Sequence, residues 1–246
     1  MTGSLAQIYR HPIKAHGREA LASVLLSAGD CLPGDRRWAV AHEAAQLNDG
    51  WNPCHNFHRG AKAPALMAMT AALVGDAVTL HHPDRPDLTF HPDDAADLPG
   101  FLDWLMPLCP PDRARPTRIV SAGRGMTDSP FPSVSLLSLA SLRALSQRMG
   151  IDLSPHRFRG NLWVEGMAPL AEFDWIGRQV QIGTAVLQVE ERITRCRATT
   201  VNPDTGRIDA DTLNALDTAY GHTDFGVYAV VTQGGEIALN DKVTLL

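Results

Sequence analysis

The sequence predicts a mixed α/β, β-rich fold: an N-terminal part of barrel or sandwich type, then a part with helices whose strands can close a second barrel. Three observations predict it. Short apolar runs punctuated by Gly and Pro fill residues 1–95 with little helical periodicity. The pattern changes near His91, after which helix signals alternate with strand signals. The length, 246 residues, allows one or two domains at about 150 residues each. The division expected is residues 1–95 and residues 96–246.

The first strand is expected at Leu5–Tyr9 and a second at Leu21–Leu26, where Val24 adds β-branched character. Arg36–Ala41 alternates, with Trp38 and Val40 on one face. Ala44–Lys62 lacks periodicity and reads as a long loop. Leu66–Thr70 and Ala77–Leu80 read as strands flanking a hairpin-like turn at Val74-Gly75-Asp76, and Leu88–Phe90 as another short strand. Leu98, Phe101, Leu102 and Leu105 share one helical face, with Pro99 suited to the first turn. Cys109–Pro116 and Ser121–Pro132 are connectors rich in turn residues. Ser138–Met149 has the clearest helical stripe, and Gly150 suits its stop. Strands follow at Asn161–Val164, Gln179–Ile182 and Ala185–Glu190, the last two joined by a tight turn at Gly183-Thr184. Asp209–Tyr220 reads as a helix capped by Asp209 or Asp211. Gly226–Val231, Glu236–Leu239 and Lys242–Leu245 close the chain as strands.

Composition narrows the function classes. Lys plus Arg number 22 and Asp plus Glu 27, a formal charge of −5, which lacks the broad basic footprint of a nucleic-acid binder. No segment approaches the roughly 20 apolar residues that span a bilayer, and the N-terminus does not read as a signal peptide. The expectation is a cytoplasmic protein that binds neither nucleic acid nor membrane. Its four cysteines, Cys31, Cys54, Cys109 and Cys196, form no CxxC pair and are expected to be free thiols.

Among residues that bring chemistry, Cys54-His55-Asn56-Phe57-His58 brings a thiol and two imidazoles together, but a zinc site needs three or four ligands and the rest are not evident, so solvated loop side chains are the favoured reading. Cys196 lies between Arg195 and Arg197, with Arg192 near; positive neighbours favour the thiolate, the form that attacks electrophiles or binds soft metals. Taken locally, a small buried hydrophobe is the stronger reading of that cysteine. Lys14, Arg36 with Arg37, and Arg159 concentrate positive charge next to strands, where they can hold a phosphate or form surface ion pairs.

In order along the chain, Ile8–Lys14 (IYRHPIK), Gly34–Trp38 (GDRRW), Leu136–Leu145, Phe158–Asn161 (FRGN), Arg195–Gly206 (RCRATTVNPDTG) and Ile237–Leu246 resemble the MOSC family, named for the C-terminal domain of molybdenum cofactor sulfurase. The resemblance is to members with an extra N-terminal β-barrel domain, such as the amidoxime-reducing components. It implies an N-terminal MOSC-associated β-barrel domain followed by a MOSC-type barrel with flanking helices. It implies the molybdenum cofactor, Mo-molybdopterin, with Cys196 as the protein ligand to molybdenum. It also implies that Lys14, Arg36 and Arg159 hold the pterin phosphate and ring edges, with Asn161, Thr194 and Arg195 adding hydrogen bonds. Asp128 is the catalytic candidate beside Cys196. Ala15 stands where the family commonly has Ser, and Gly160 where many relatives have Pro. The activity implied is reduction of N-hydroxylated, N-oxide or S-oxide small molecules with electrons from a separate reductase. A sulfur or cofactor carrier using a Cys196 thiolate or persulfide is the alternative, and a binding module with an inert cysteine is the third reading.

Overall fold

In the computed structural model, which describes residues 2–246, the main sheet closes on itself. Its strands are β1 (Thr2–Arg10), β9 (Val134–Ser138), β10 (Leu162–Glu165), β11 (Gln179–Ile182), β12 (Ala185–Thr194), β13 (Asp224–Gln233) and β15 (Lys242–Leu245). The order β10-β9-β13-β12-β11-β15-β1 returns to β10, making a seven-stranded barrel with β2 (Glu19–Leu21) added outside β1. Only the β9–β10 pair within the barrel is parallel. The inward side chains, among them Leu5, Ile8, Leu136, Leu162, Val180, Leu187, Val227 and Val243, form one contiguous core. Alternation is visible along β13, where Phe225, Val227, Ala229 and Val231 are buried.

The first strand of the chain therefore completes a barrel made otherwise of strands from the second half. Other elements also reach across: β3 (Ser23–Leu26) pairs with β14 (Gly235–Ala238), and β4 (Trp38–His42) with β8 (Pro116–Ser121). A meander, β5 (Thr70–Val74), β6 (Ala77–His82) and β7 (Arg85–Phe90), packs with α1 (Leu98–Leu105) over a second core that contains Ile13, Trp38, Leu66, Phe90 and Phe101. The β-rich class with flanking helices is as the sequence predicts.

Two helices fit their signals closely. For α2 (Leu139–Met149), the Ser138 hydroxyl accepts from Ser141 N and Gly150 takes a left-handed cap at φ 67°. For α3 (Thr212–Tyr220), the cap is Asp211, accepting from Asn214 N. Three expectations are corrected. Leu66–Thr70 is not a strand: Pro64 starts a 3-10 turn over Pro64–Ala68, and β5 begins only at Thr70. Leu21–Leu26 is two strands, because Ile8 pairs with Leu21 while Val24 pairs with Ile237 in a different sheet. Arg36 lies before its strand, in a left-handed conformation, and β4 starts at Trp38. The strands β8 and β9 carry no signal that the sequence reading used.

Candidate functional site

A cavity of about 250 Å³ opens between the loop after β1, the approach to β4, the loop after β4, the end of β12 and Tyr228 of β13. The loop after β1 is held against the approach to β4 by backbone bonds: Arg36 N donates to His11 O at 2.6 Å and Lys14 N to Trp38 O at 2.7 Å. Met126 N donates to Arg36 O at 2.7 Å, bringing the Ser121–Pro132 loop to the same place. Lys14, Arg36 and Arg159 all line the cavity, although they come from three separate stretches of chain.

Each cation is anchored. Lys14 is buried; its Nζ donates to Met126 O at 2.7 Å and Asp128 Oδ1 at 2.5 Å. Arg36 donates to Asp35 and, through Nη2, to Arg159 O at 2.8 Å. Asp35 is itself buried and accepts from His11 N at 2.8 Å. Burial alone raises its carboxyl, but the Arg36 charge and the His11 bonds outweigh that and hold it well below the ordinary range. Arg159 donates to Gly17 O at 3.0 Å, and burial, with the neighbouring Arg36 and Arg18 charges, brings it down to about 9.

Backbone strain collects at the same wall. Of the five non-glycine residues with positive φ among the described residues, three line the cavity: Ala15 (64°), Arg36 (49°) and Arg159 (48°). A non-glycine residue in this region costs about 1–2 kcal/mol, and such residues gather at functional sites.

The opposite wall carries Thr194, Arg195 and Cys196 at the end of β12. The β12–β13 ladder slips between Arg192 and Thr194, a bulge that turns the last residues away from regular pairing. Cys196 is exposed and begins a 3-10 turn over Arg197–Thr200. Its carbonyl accepts from Thr199 N and the Thr199 hydroxyl, both at 3.1 Å, while the Thr200 hydroxyl donates to Arg197 O at 2.7 Å. These threonines staple the turn that presents the sulfur. Asn202 accepts from Asp204 N and Thr205 N, and Arg18 donates to Pro203 O at 3.1 Å, so the NPDTG stretch is a buttress for that turn.

Asp128 faces the cavity with a side chain 59% exposed. Desolvation pushes its carboxyl up, but Lys14, Arg36 and Arg195 outweigh it and hold it below the usual carboxylate range. Arg195 is committed to backbone: Nε donates to Phe225 O at 2.7 Å and Nη1 to Phe158 O at 2.8 Å. Burial is the main reason its guanidinium falls to about 10. The Thr194 hydroxyl donates to Asp224 Oδ1 at 2.7 Å.

Asn161 alone of the expected site residues does not line the cavity. It is 1% exposed, and its amide bridges barrel strands, accepting from the Ser135 hydroxyl at 2.9 Å and donating to Tyr9 O at 3.1 Å. Ser135, which it holds, is on the cavity wall. Cavity residues that the sequence reading missed are Cys54, Arg59 and Met67 from the loop between β4 and β5, with Arg157 and Tyr228. Burial pushes the Tyr228 phenol up to about 12, so it stays protonated. Among the described residues no group of three or more His, Cys, Asp or Glu is arranged to hold a metal ion. All four cysteines are free thiols. No helix among the described residues is long and apolar enough to cross a membrane.

The family model described as the MOSC domain matches residues 126–244, and that described as the MOSC N-terminal beta barrel domain matches residues 2–102. Mitochondrial amidoxime-reducing component 1 of Mus musculus is 35% identical over 130 residues, 48% of this chain and 37% of that protein. Molybdenum cofactor sulfurase of Anopheles gambiae is 32% identical over 125 residues, 46% of this chain but 16% of that protein. These matches thus span well under half of either relative. The crystal structure of the YUAD protein from Bacillus subtilis superposes with a TM-score of 0.51 at 15% identity, covering 100% of this chain and 96% of that one, a likeness of fold.

Proposed function

The chain belongs to the MOSC family, in its form with an N-terminal MOSC β-barrel domain, and from that premise we propose that it is a molybdenum-cofactor-dependent reductase of N-hydroxylated small molecules. The observation that carries the reading is that an exposed thiol and three anchored cations from remote parts of the chain line one cavity.

The donor set fits the group. A cysteine sulfur is a soft ligand of the kind molybdenum takes, and Cys196 would hold the metal. Lys14, Arg36 and Arg159 would hold the anionic tail and ring edges of the pterin through charge-assisted hydrogen bonds. Asp128 fixes Lys14, Asp35 fixes Arg36 and Gly17 O fixes Arg159 before anything binds, so little ordering remains to be done on association. Arg195 positions the sulfur by tying the end of β12 to Phe225 and Phe158.

When bound, the cofactor supplies the two electrons that cleave a nitrogen–oxygen bond. Asp128, held ionised by Lys14, is an acceptor aimed into the cavity and would take the hydrogen bond of a substrate N–H or O–H. Tyr228, held protonated, is a donor on the same wall. Electrons would come from a separate reductase. N-oxides and S-oxides fit the same chemistry, since each presents an oxygen on a reducible atom.

Similarity to a molybdenum cofactor sulfurase favours the second reading, a carrier of sulfur or cofactor through Cys196. Protein made in a cofactor-competent host distinguishes them. The reductase holds molybdenum and oxidises reduced viologen with an amidoxime or hydroxylamine, and Cys196→Ser loses both. A carrier transfers its cofactor or sulfane sulfur to an acceptor protein without turnover. Unchanged metal and turnover in Cys196→Ser overturn both.

A further inference from the structure

Arg59 stands where two cavities meet. It lines the cavity that holds Cys196 and also an adjoining one of about 260 Å³. The second cavity has Phe57 as an apolar surface and carries the cations Lys62 and Arg113 beside Arg59. Other arginines around the site are committed: Arg36 to Asp35, Arg157 to Asp209, Arg195 to backbone carbonyls. Arg59 differs. Its Nη1 donates to Cys54 Sγ at 3.3 Å, and no carboxylate among the described residues lies within ion-pair distance of it. The one carboxylate lining the second cavity, Asp112, lies 3.6 Å from Arg113. His58 is no counter-charge to a guanidinium: burial disfavours its cationic form, and its Nε2 is engaged with Ala114 O at 2.7 Å.

A half-buried guanidinium whose only side-chain partner is a thiol keeps most of its donor fork open, in the planar arrangement that suits a carboxylate or phosphate. We propose that the second cavity is a tail pocket and that the substrate of this protein carries an anionic group, carboxylate or phosphate, which Arg59 grips while the N–O end reaches the cavity of Cys196. The N–O end rests on the reductase reading above; the anion site does not.

The test has two arms. In the first, calorimetry on the cofactor-loaded protein compares benzoate and phenylphosphonate with neutral benzamide. The expected result is a Kd at least tenfold lower for one of the anions, and which anion wins separates carboxylate from phosphate. Arg59→Gln removes that preference, Arg59→Lys keeps part of it, and Lys62→Gln weakens it severalfold. In the second arm, reduced-viologen turnover compares benzamidoxime with its 4-carboxy and 4-phosphono derivatives. Arg59→Gln raises KM for the preferred anionic substrate at least tenfold and for benzamidoxime less than threefold. Equal affinity for anions and benzamide, or a preference that survives Arg59→Gln, overturns the tail pocket. So does loss of molybdenum and pterin from Arg59→Gln, which makes Arg59 a cofactor ligand. Anion binding that depends on Arg59 without turnover of any amidoxime leaves the pocket standing and overturns the reductase.

Discussion

Lys14 Nζ and Asp128 Oδ1 lie 2.5 Å apart and join two loops separated by 114 positions. The two ends of the pair live in different surroundings: the lysine side chain is 5% exposed and the aspartate 59%. The cation is thus the buried partner and the anion faces the cavity. Lys14 is the foremost attraction lowering Asp128, ahead of Arg36 and Arg195. Lys14→Met keeps much of the buried stem and removes the charge, so the Asp128 titration moves to higher pH. A carboxyl-detected NMR titration reads this without any cofactor. In turnover, the acid limb of the pH profile moves in the same direction. An Asp128 midpoint that does not move in Lys14→Met refutes the coupling.

Asp35 supports Arg36 on the same wall of the cavity. It is buried against Arg36 and His11, and its carboxyl is held below the ordinary range. Asp35→Asn preserves shape but leaves the Arg36 charge without its partner, a loss on the order of 3 kcal/mol in unfolding free energy. The sign with pH follows from the lowered carboxyl. Its stabilisation is present above the unfolded-state value near 3.9 and fades as pH falls below it. The gap between wild type and Asp35→Asn in urea unfolding is therefore widest near neutrality and narrows below about pH 4.

Glu172 is a buried carboxyl away from the cavity. Burial drives it up to about 7, with Ser141 Oγ donating to both carboxylate oxygens at 3.0 and 3.1 Å. Here the folded form binds the proton more tightly than the unfolded chain. Its favourable contribution is complete below about pH 4.5, is lost as pH rises toward 7, and is gone above that. Glu172→Gln keeps an acceptor for Ser141 and removes the ionisation. Wild type loses stability from pH 5 to pH 8 relative to this variant, by an amount on the order of 3 kcal/mol. Parallel urea midpoints for the two proteins across that range would exclude the assignment.

The sequence shows the local pieces of the site better than their meeting. The arginines beside Cys196 single it out, yet Arg195 directs its guanidinium to Phe158 and Phe225 carbonyls, a long-range commitment that spacing cannot reveal. The convergence of Lys14, Arg36 and Arg159 comes from chain crossings between β1, β4 and β10, so only the family resemblance anticipates it. The family resemblance implies Asn161 as a cofactor hydrogen-bonding residue, but it stands just before β10 and is engaged with Ser135 and Tyr9 O. Arg59, and the place of Cys54 in this cavity, are not legible in an aperiodic loop that is ordered by packing: a Cβ on Gly60 would stand 2.5 Å from Met67 Sδ, and Arg18 secures Met67 and Met69 through their carbonyls.

In the barrel, β1 waits for β15. Because β1 needs β15, ending at Leu245, on one edge and β10 on the other, synthesis on the ribosome must run through β15 before the barrel can shut. Until then an apolar ribbon bearing Leu5 and Ile8 lacks its seat, an opening for nascent-chain aggregation and for chaperone capture. Cutting the gene between the two matched domains would give a C-terminal fragment with a missing stave, whereas supplying residues 2–10 as a separate peptide offers a route to reconstitution.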